Sequence, residues 1–220
     1  MMHSFINFIM GPMVWISLAI FLVGVIFKFY QLVRLIGQKE KFLYTYFSFK
    51  YGFRSILAWM VPFLPASTRK SPVFFAVSYI FHLLLFIVPI FLLAHVALLE
   101  ETMQWSWMTI NEPLADALTL MIIFALIFFA VRRVILPEIS YLTRASDFFF
   151  ILIVALPFIT GFLAYHQFVA YQWMTIVHII SGELMIILIP FTRFFHMFMA
   201  PFTRAYTGSE FGAVRHAKDW

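Results

Sequence analysis

The sequence predicts an all-α integral membrane protein, a five-helix bundle with a periplasmic N-terminus and a cytoplasmic C-terminus. Three observations carry this. Apolar residues make up 64% of the chain and charged residues 11%, where a soluble domain carries about 25% charged residues. Five apolar stretches, at residues 8–29, 72–99, 113–131, 148–165 and 172–197, each reach the roughly 17–20 residues that a helix needs to cross a bilayer core. All fifteen Lys and Arg residues fall at one set of ends, the asymmetry of the positive-inside rule.

Taken in order, the first stretch has no positive region before it and is expected to stay in the mature protein rather than leave as a signal peptide. Eight basic residues from Lys28 to Lys70 follow it. Within this inner loop (38–71), the aromatic segment 42–66 is interrupted by Lys50 and Arg54 and is expected to lie as a helix in the membrane interface. After the second stretch the outer loop carries Glu100, Glu101, Glu112 and Asp116 and no Lys or Arg. Trp105, Trp107 and Trp173 fall where an outer aromatic belt lies. Arg132, Arg133 and Arg144 separate the third and fourth stretches, and Pro157 is expected to bend the fourth. The tail (201–220) is polar, with Gly208 and Gly212. It is expected to have no core of its own and to rest on a partner or move freely.

Composition also excludes. The chain has no cysteine, so it holds no disulfide, no thiolate-ligated iron–sulfur cluster and no covalent haem. The net charge of +5 follows membrane sidedness and does not point to nucleic acid. The sequence contains no repeat, no glycine-rich phosphate loop and no nucleophile motif.

Four of the seven histidines lie inside apolar stretches: His82 and His95 in the second, His178 and His196 in the fifth. An ionisable residue in a membrane span is a functional-site hypothesis by default. His178 and His196 are eighteen residues apart, five turns of an ideal helix, so both rings leave one face about 27 Å apart. His82 and His95 are thirteen residues apart, and an ideal helix points them roughly 140° apart; Pro89 between them is expected to kink the helix and shift its phase. The two stretches run in opposite directions. Sidedness therefore pairs His95 with His178 near the outer surface and His82 with His196 near the inner one. Two imidazoles from facing helices suit a six-coordinate haem iron, whereas zinc asks for three or four ligands. The reading is two non-covalent b-type haems, one above the other.

Other polar residues complete the candidate set. Arg193, one turn before His196, is expected to pair with a propionate of the inner haem. Glu183 reads equally as a proton-handling carboxyl and as a neutral, hydrogen-bonded acid. Gly161 and Gly182 read equally as room for a flat ring and as helix-packing positions. Any quinone site, menaquinone being the expected quinone, lies at the outer haem. Its boundary is His95, Glu100, Glu101 and the turn of Tyr165, His166 and Gln167, and the same turn reads equally as a solvated one. The same acidic rim suits a Lys-rich periplasmic cytochrome c.

The run V-H-I-I-S-G-E-L-M-I-I-L-I-P-F-T-R-F-F-H, from Val177 to His196, resembles the di-haem cytochrome b gamma subunit of respiratory nitrate reductase. His178, Gly182, the P-F-T-R run at 190–193 and His196 carry the likeness, and the five-span layout matches. The resemblance implies quinol chemistry near the outer haem and electron exchange with a cytoplasmic iron–sulfur subunit. This family also includes cytochrome b subunits of transmembrane redox complexes of sulfate-reducing bacteria. The expected partner is thus heterodisulfide-reductase-like or nitrate-reductase-beta-like, with a periplasmic multihaem cytochrome c as a further one. The outer loop after the second stretch lacks the lysine expected near that family's quinol site and carries Glu100 and Glu101.

The function expected is that of a cytochrome b subunit in the bacterial inner membrane. It passes electrons between a quinone pool, or a periplasmic cytochrome c, and the iron–sulfur subunit. The rival readings are a nitrate reductase gamma subunit proper and a haem-free membrane anchor or transporter.

Overall fold

Inside a bilayer no water is available to backbone N–H and C=O groups, so long apolar stretches fold as helices that satisfy them internally. The computed structural model describes residues 2–39 and 43–220, with no strand among them. In chain order the helices are α1 (Met2–Met10), α2 (Pro12–Lys39), α3 (Leu43–Tyr46), α4 (Phe49–Met60), α5 (Ala66–Arg69), α6 (Pro72–Phe91), α7 (Leu93–Met103), α8 (Glu112–Ile135), α9 (Pro137–Ser140), α10 (Ala145–Tyr165), α11 (Tyr171–Leu188) and α12 (His196–Ser209). Five helical stretches are long and apolar enough to cross a membrane: Ser4–Lys39, Pro72–Phe91, Glu112–Ile135, Ala145–Tyr165 and Tyr171–Leu188. This is the multi-pass helical architecture that composition predicted.

Two spans differ from the sequence reading, and proline is at both. The second is not one helix over 72–99. Leu92 is extended, at φ −69° and ψ 129°, and separates α6 from α7. The kink expected at Pro89 is thus a break three residues later. The fifth is not one helix over 172–197. α11 stops at Leu188, Pro190 sits in the break, and a 3-10 turn (Arg193–Phe195) leads into α12. Pro190 cannot donate to the carbonyl four residues back and its ring crowds that turn. Thr192 seals the gap: its hydroxyl donates to the Leu188 carbonyl at 2.7 Å and accepts from the Phe194 N–H at 3.3 Å. His196 therefore does not share a helix with His178, and the five-turn phase relation between them does not hold.

The chain forms two compact units, Met1–Met10 with Val77–Gly182, and Gly11–Ala76 with Glu183–Trp220. In the first, α8 and α10 pack through Ala115, Thr119, Ile122 and Leu126 against Val154, Phe158 and other buried residues of α10. Small residues at such a seam bring helices close where lipid gives no hydrophobic drive. At one end of the pair Asp147, buried, accepts from the Arg144 N–H at 2.7 Å and lies 3.7 Å from the Arg133 guanidinium.

In the second unit the segment read as an inner loop contains α3, α4 and α5; residues 40–42 of it lie outside the described residues. The tail is corrected. It rests on the chain itself: α12 packs on α4, and Gly212 of the π-turn Glu210–Val214 lies against Tyr51. Gly52, Ser55 and Ala58 of α4 are buried there. A Cβ on Gly52 would stand 3.1 Å from the Ala205 carbonyl oxygen, and one on Gly208 would stand 2.3 Å from Ser55 Cβ. The two backbones thus touch at glycine. Tyr46 donates to the Tyr206 hydroxyl at 3.0 Å, and the Ser48 N–H donates to Ser209 Oγ at 3.1 Å.

Candidate functional site: an imidazole pair held by broken helices

The break at Leu92 decides how His95 is held. A helix running on would give the Pro89 carbonyl to the N–H of residue 93. Instead His95 Nδ1 lies 2.8 Å from that carbonyl oxygen. The next two carbonyls are taken by the loop 104–111: Trp107 Nε1 donates to Ile90 O at 2.9 Å, and the Ile110 N–H to Phe91 O at 3.0 Å. Three acceptors exposed by one break are satisfied, as buried backbone groups must be.

His178 is held the same way. Its Nδ1 lies 2.8 Å from the Pro157 carbonyl oxygen in α10. Gly161, four residues on, is one turn along the same face, and a Cβ there would stand 2.9 Å from His178 Cε1 and Nδ1. The missing side chain is what lets the ring reach the carbonyl. Proline supplies the acceptor and glycine the access.

These two rings face each other. Their centroids are 6.0 Å apart and their planes 14° from parallel. A carbonyl oxygen only accepts, so each Nδ1 carries the proton and each Nε2 keeps its lone pair. Metal-ligating histidines use this second-shell bond to fix tautomer and orientation. Two metal–nitrogen bonds of about 2.0–2.1 Å, with the ring radius added at each end, span about 6 Å between ring centres. With both Nε2 lone pairs kept, His95 and His178 are the residues that would hold a metal between them. Gly182, one turn after His178, has no protein atom within 4 Å of where a Cβ would be, so this face keeps room for a flat group. No group of three or more His, Cys, Asp or Glu occurs among the described residues, as a bare metal site would need.

The other two histidines are placed in different units. His82, exposed on α6, has Nδ1 at 2.7 Å from the Ser78 carbonyl oxygen. His196, exposed at the start of α12, has Nδ1 at 2.8 Å from the Arg193 carbonyl oxygen. Both present the same tautomer as the first pair. Arg193 is exposed in the 3-10 turn. Glu183 is 5% exposed, and neither carboxyl oxygen has a hydrogen-bond partner; the reading as a hydrogen-bonded acid therefore finds no donor.

The outer rim is rearranged. His166 Nε2 lies 3.0 Å from Asp116 Oδ1 of α8, with its ring 4.5 Å from Phe162 and 5.2 Å from Phe168. Tyr165 meets Glu112. Gln167 takes a left-handed φ of 54° that closes the turn. The acids that serve this turn are thus Asp116 and Glu112, while Glu100 and Glu101 stand exposed at the end of α7. Sequence reasoning missed these two acids as partners, together with the Pro89 and Pro157 carbonyls. Only the pairing of α8 with α10 brings residues 116 and 166 together.

A protein of Nitratidesulfovibrio vulgaris (strain Hildenborough), named only "Protein", is 34% identical over 212 residues, covering 94% of each chain. This chain belongs to its family. The match covers nearly the whole chain and not one motif. No family model matches the chain, and no solved structure does.

Proposed function

We propose that the chain is a membrane cytochrome b subunit that holds haem between His95 and His178 and relays electrons across the bilayer. The observation that carries this reading is the imidazole pair: 6.0 Å between ring centroids, near-parallel planes, and both Nδ1 atoms fixed by backbone carbonyls. A buried histidine kept only for packing needs one such bond. It does not need a second imidazole at the spacing of two axial ligands. The resemblance to the nitrate reductase gamma subunit agrees, and the charge pattern of the sequence gives His82 and His196 as the candidates for a second haem.

Bound haem would supply one-electron chemistry at iron. The residues of this chain supply the rest. His95 and His178 present Nε2 lone pairs, and their Nδ1–H bonds to Pro89 and Pro157 raise ring basicity and hold the planes. At the other end of these helices His166 Nε2 lies 3.0 Å from Asp116 Oδ1. That couple would be the one to exchange protons with a quinol. An iron–sulfur subunit on the basic side would complete the path. Direct evidence comes from the reduced-minus-oxidised spectrum and haem-to-protein ratio of the purified full chain. The reading predicts a b-type spectrum with two haems per chain. A chain that carries no haem when expressed with adequate haem supply rejects it.

A further inference from the structure

Helix α4 has three faces. Gly52, Ser55 and Ala58 are buried against α12. Phe49, Phe53, Leu57 and Met60 are exposed, Phe49 to 83% and Met60 to 67%. At 3.6 residues per turn these four make one stripe about 80° wide. Lys50 and Arg54 fall on the border between the two faces. An amphipathic helix of this pattern lies in a bilayer surface, with its apolar stripe among acyl chains and its basic flank at the headgroups.

Beside that basic flank is a cavity of about 220 Å³, lined by Tyr51, Arg54, Gly212, His216, Ala217 and Lys218. The Arg54 guanidinium is clamped, 4.8 Å from the ring centres of both Tyr51 and Trp220. Its Nη2 donates to the Ala217 carbonyl at 3.4 Å, and its Nε is buried without a partner. The ion pairs among the described residues include neither Arg54 nor Lys218. Of the acids of this segment, Glu210 pairs with Arg215, and Asp219 accepts from Ser55 while its other oxygen is buried without a partner. A basic concavity is left in which neither cation is ion-paired. Its volume is below the roughly 300–1,000 Å³ of a ligand pocket, which suits a single anionic group and not a whole cofactor.

We infer that this cavity is a phosphate site in which Arg54 and Lys218 take the headgroup phosphate of an anionic phospholipid. The Phe49, Phe53, Leu57 and Met60 stripe enters the adjoining acyl layer. Arg suits the task because its planar fork meets phosphate oxygens two at a time. His216 adds a further donor at the rim. The site also gives the fold on α4 a purpose: α12 and the turn after it bring residues 216–218 back over Arg54.

Native mass spectrometry of the detergent-solubilised full chain tests this, with phosphatidylglycerol and phosphatidylcholine of matched acyl chains as probes and inorganic pyrophosphate as competitor. Wild type should retain phosphatidylglycerol about tenfold better than phosphatidylcholine, a difference of about 1.4 kcal/mol. The preference should fall to parity in Lys218→Gln, whose side chain is exposed and reaches only the Trp220 ring, at 6.0 Å, and in Arg54→Gln. Phe53→Ser should weaken both lipids alike. Pyrophosphate binding that Lys218→Gln abolishes, with no lipid preference, would keep the phosphate site but reject a lipid as its source. Equal retention of both lipids by wild type, with no pyrophosphate bound, overturns the inference.

Discussion

Gly161 and Gly182 bracket His178 in opposite ways. A Cβ at 161 would press on the imidazole at 2.9 Å, whereas one at 182 would touch nothing of the protein. Gly161→Ala should therefore displace a ring already fixed to Pro157, at an overpacking cost of about 1–3 kcal/mol, and lower haem content at the outer pair. Gly182→Ala should stabilise the haem-free chain by about 0.5–1 kcal/mol, the ordinary helix gain over glycine. If haem occupies that open face, the same change lowers the haem-to-protein ratio. Thermal unfolding followed by circular dichroism, beside pigment stoichiometry, separates the two effects. The identity of His95 and His178 as partners was legible from charge sidedness alone, because the two spans run in opposite directions. What orients them was not. The acceptors are carbonyls of Pro89 and Pro157, and backbone atoms leave no mark in a side-chain pattern. His166 shows the other limit. Its acid was sought at Glu100 and Glu101 on the same outer loop set, but helix packing chose Asp116, fifty positions away.

Phase arguments fail where helices break, and both breaks sit by proline. Pro89 was read as a kink and is one, with the cut displaced to Leu92. Pro190 was read through, which made His178 and His196 appear as one five-turn face. The bonding of Thr192 to both sides of the gap is the local signal that a straight-helix count passes over. If the break is what aims His95, Pro89→Ala should let the N–H of residue 93 compete for the carbonyl that His95 now uses. The expected result is slightly higher helicity with a shifted or lost outer-haem signal. Unchanged haem would mean that loop 104–111, through Trp107 and Ile110, holds the break by itself. The tail was expected to rest on a partner or move freely because its polar composition offers no core of its own. Its packing uses glycine and serine, which carry almost no hydrophobic signal. Gly208→Val should drive a side chain into Ser55, cost at least about 1–3 kcal/mol and expose residues after 205 to protease. A tail as resistant as wild type would contradict the packing.

Five spans follow from the length of apolar sequence a bilayer requires, and the five helices long enough to cross it answer that count. Orientation rests on the basic residues, and a chain without cysteine lends itself to labelling. In right-side-out vesicles, Glu101→Cys should react with an impermeant maleimide at once, and Lys218→Cys only after lysis. The reverse pattern would invert the topology and with it the assignment of outer and inner histidines. The reading of the protein as an electron carrier depends most on one pair of rings. Low-spin electron paramagnetic resonance of the full chain, set against His95→Ala and His178→Ala, addresses that pair. If iron is held between these rings, planes 14° apart would give a rhombic low-spin signal, where perpendicular planes would give a highly anisotropic one. Both substitutions should remove that same rhombic signal and leave the other haem in place. Persistence of the signal in either variant, or loss of a different signal from each, would contradict a haem held between His95 and His178.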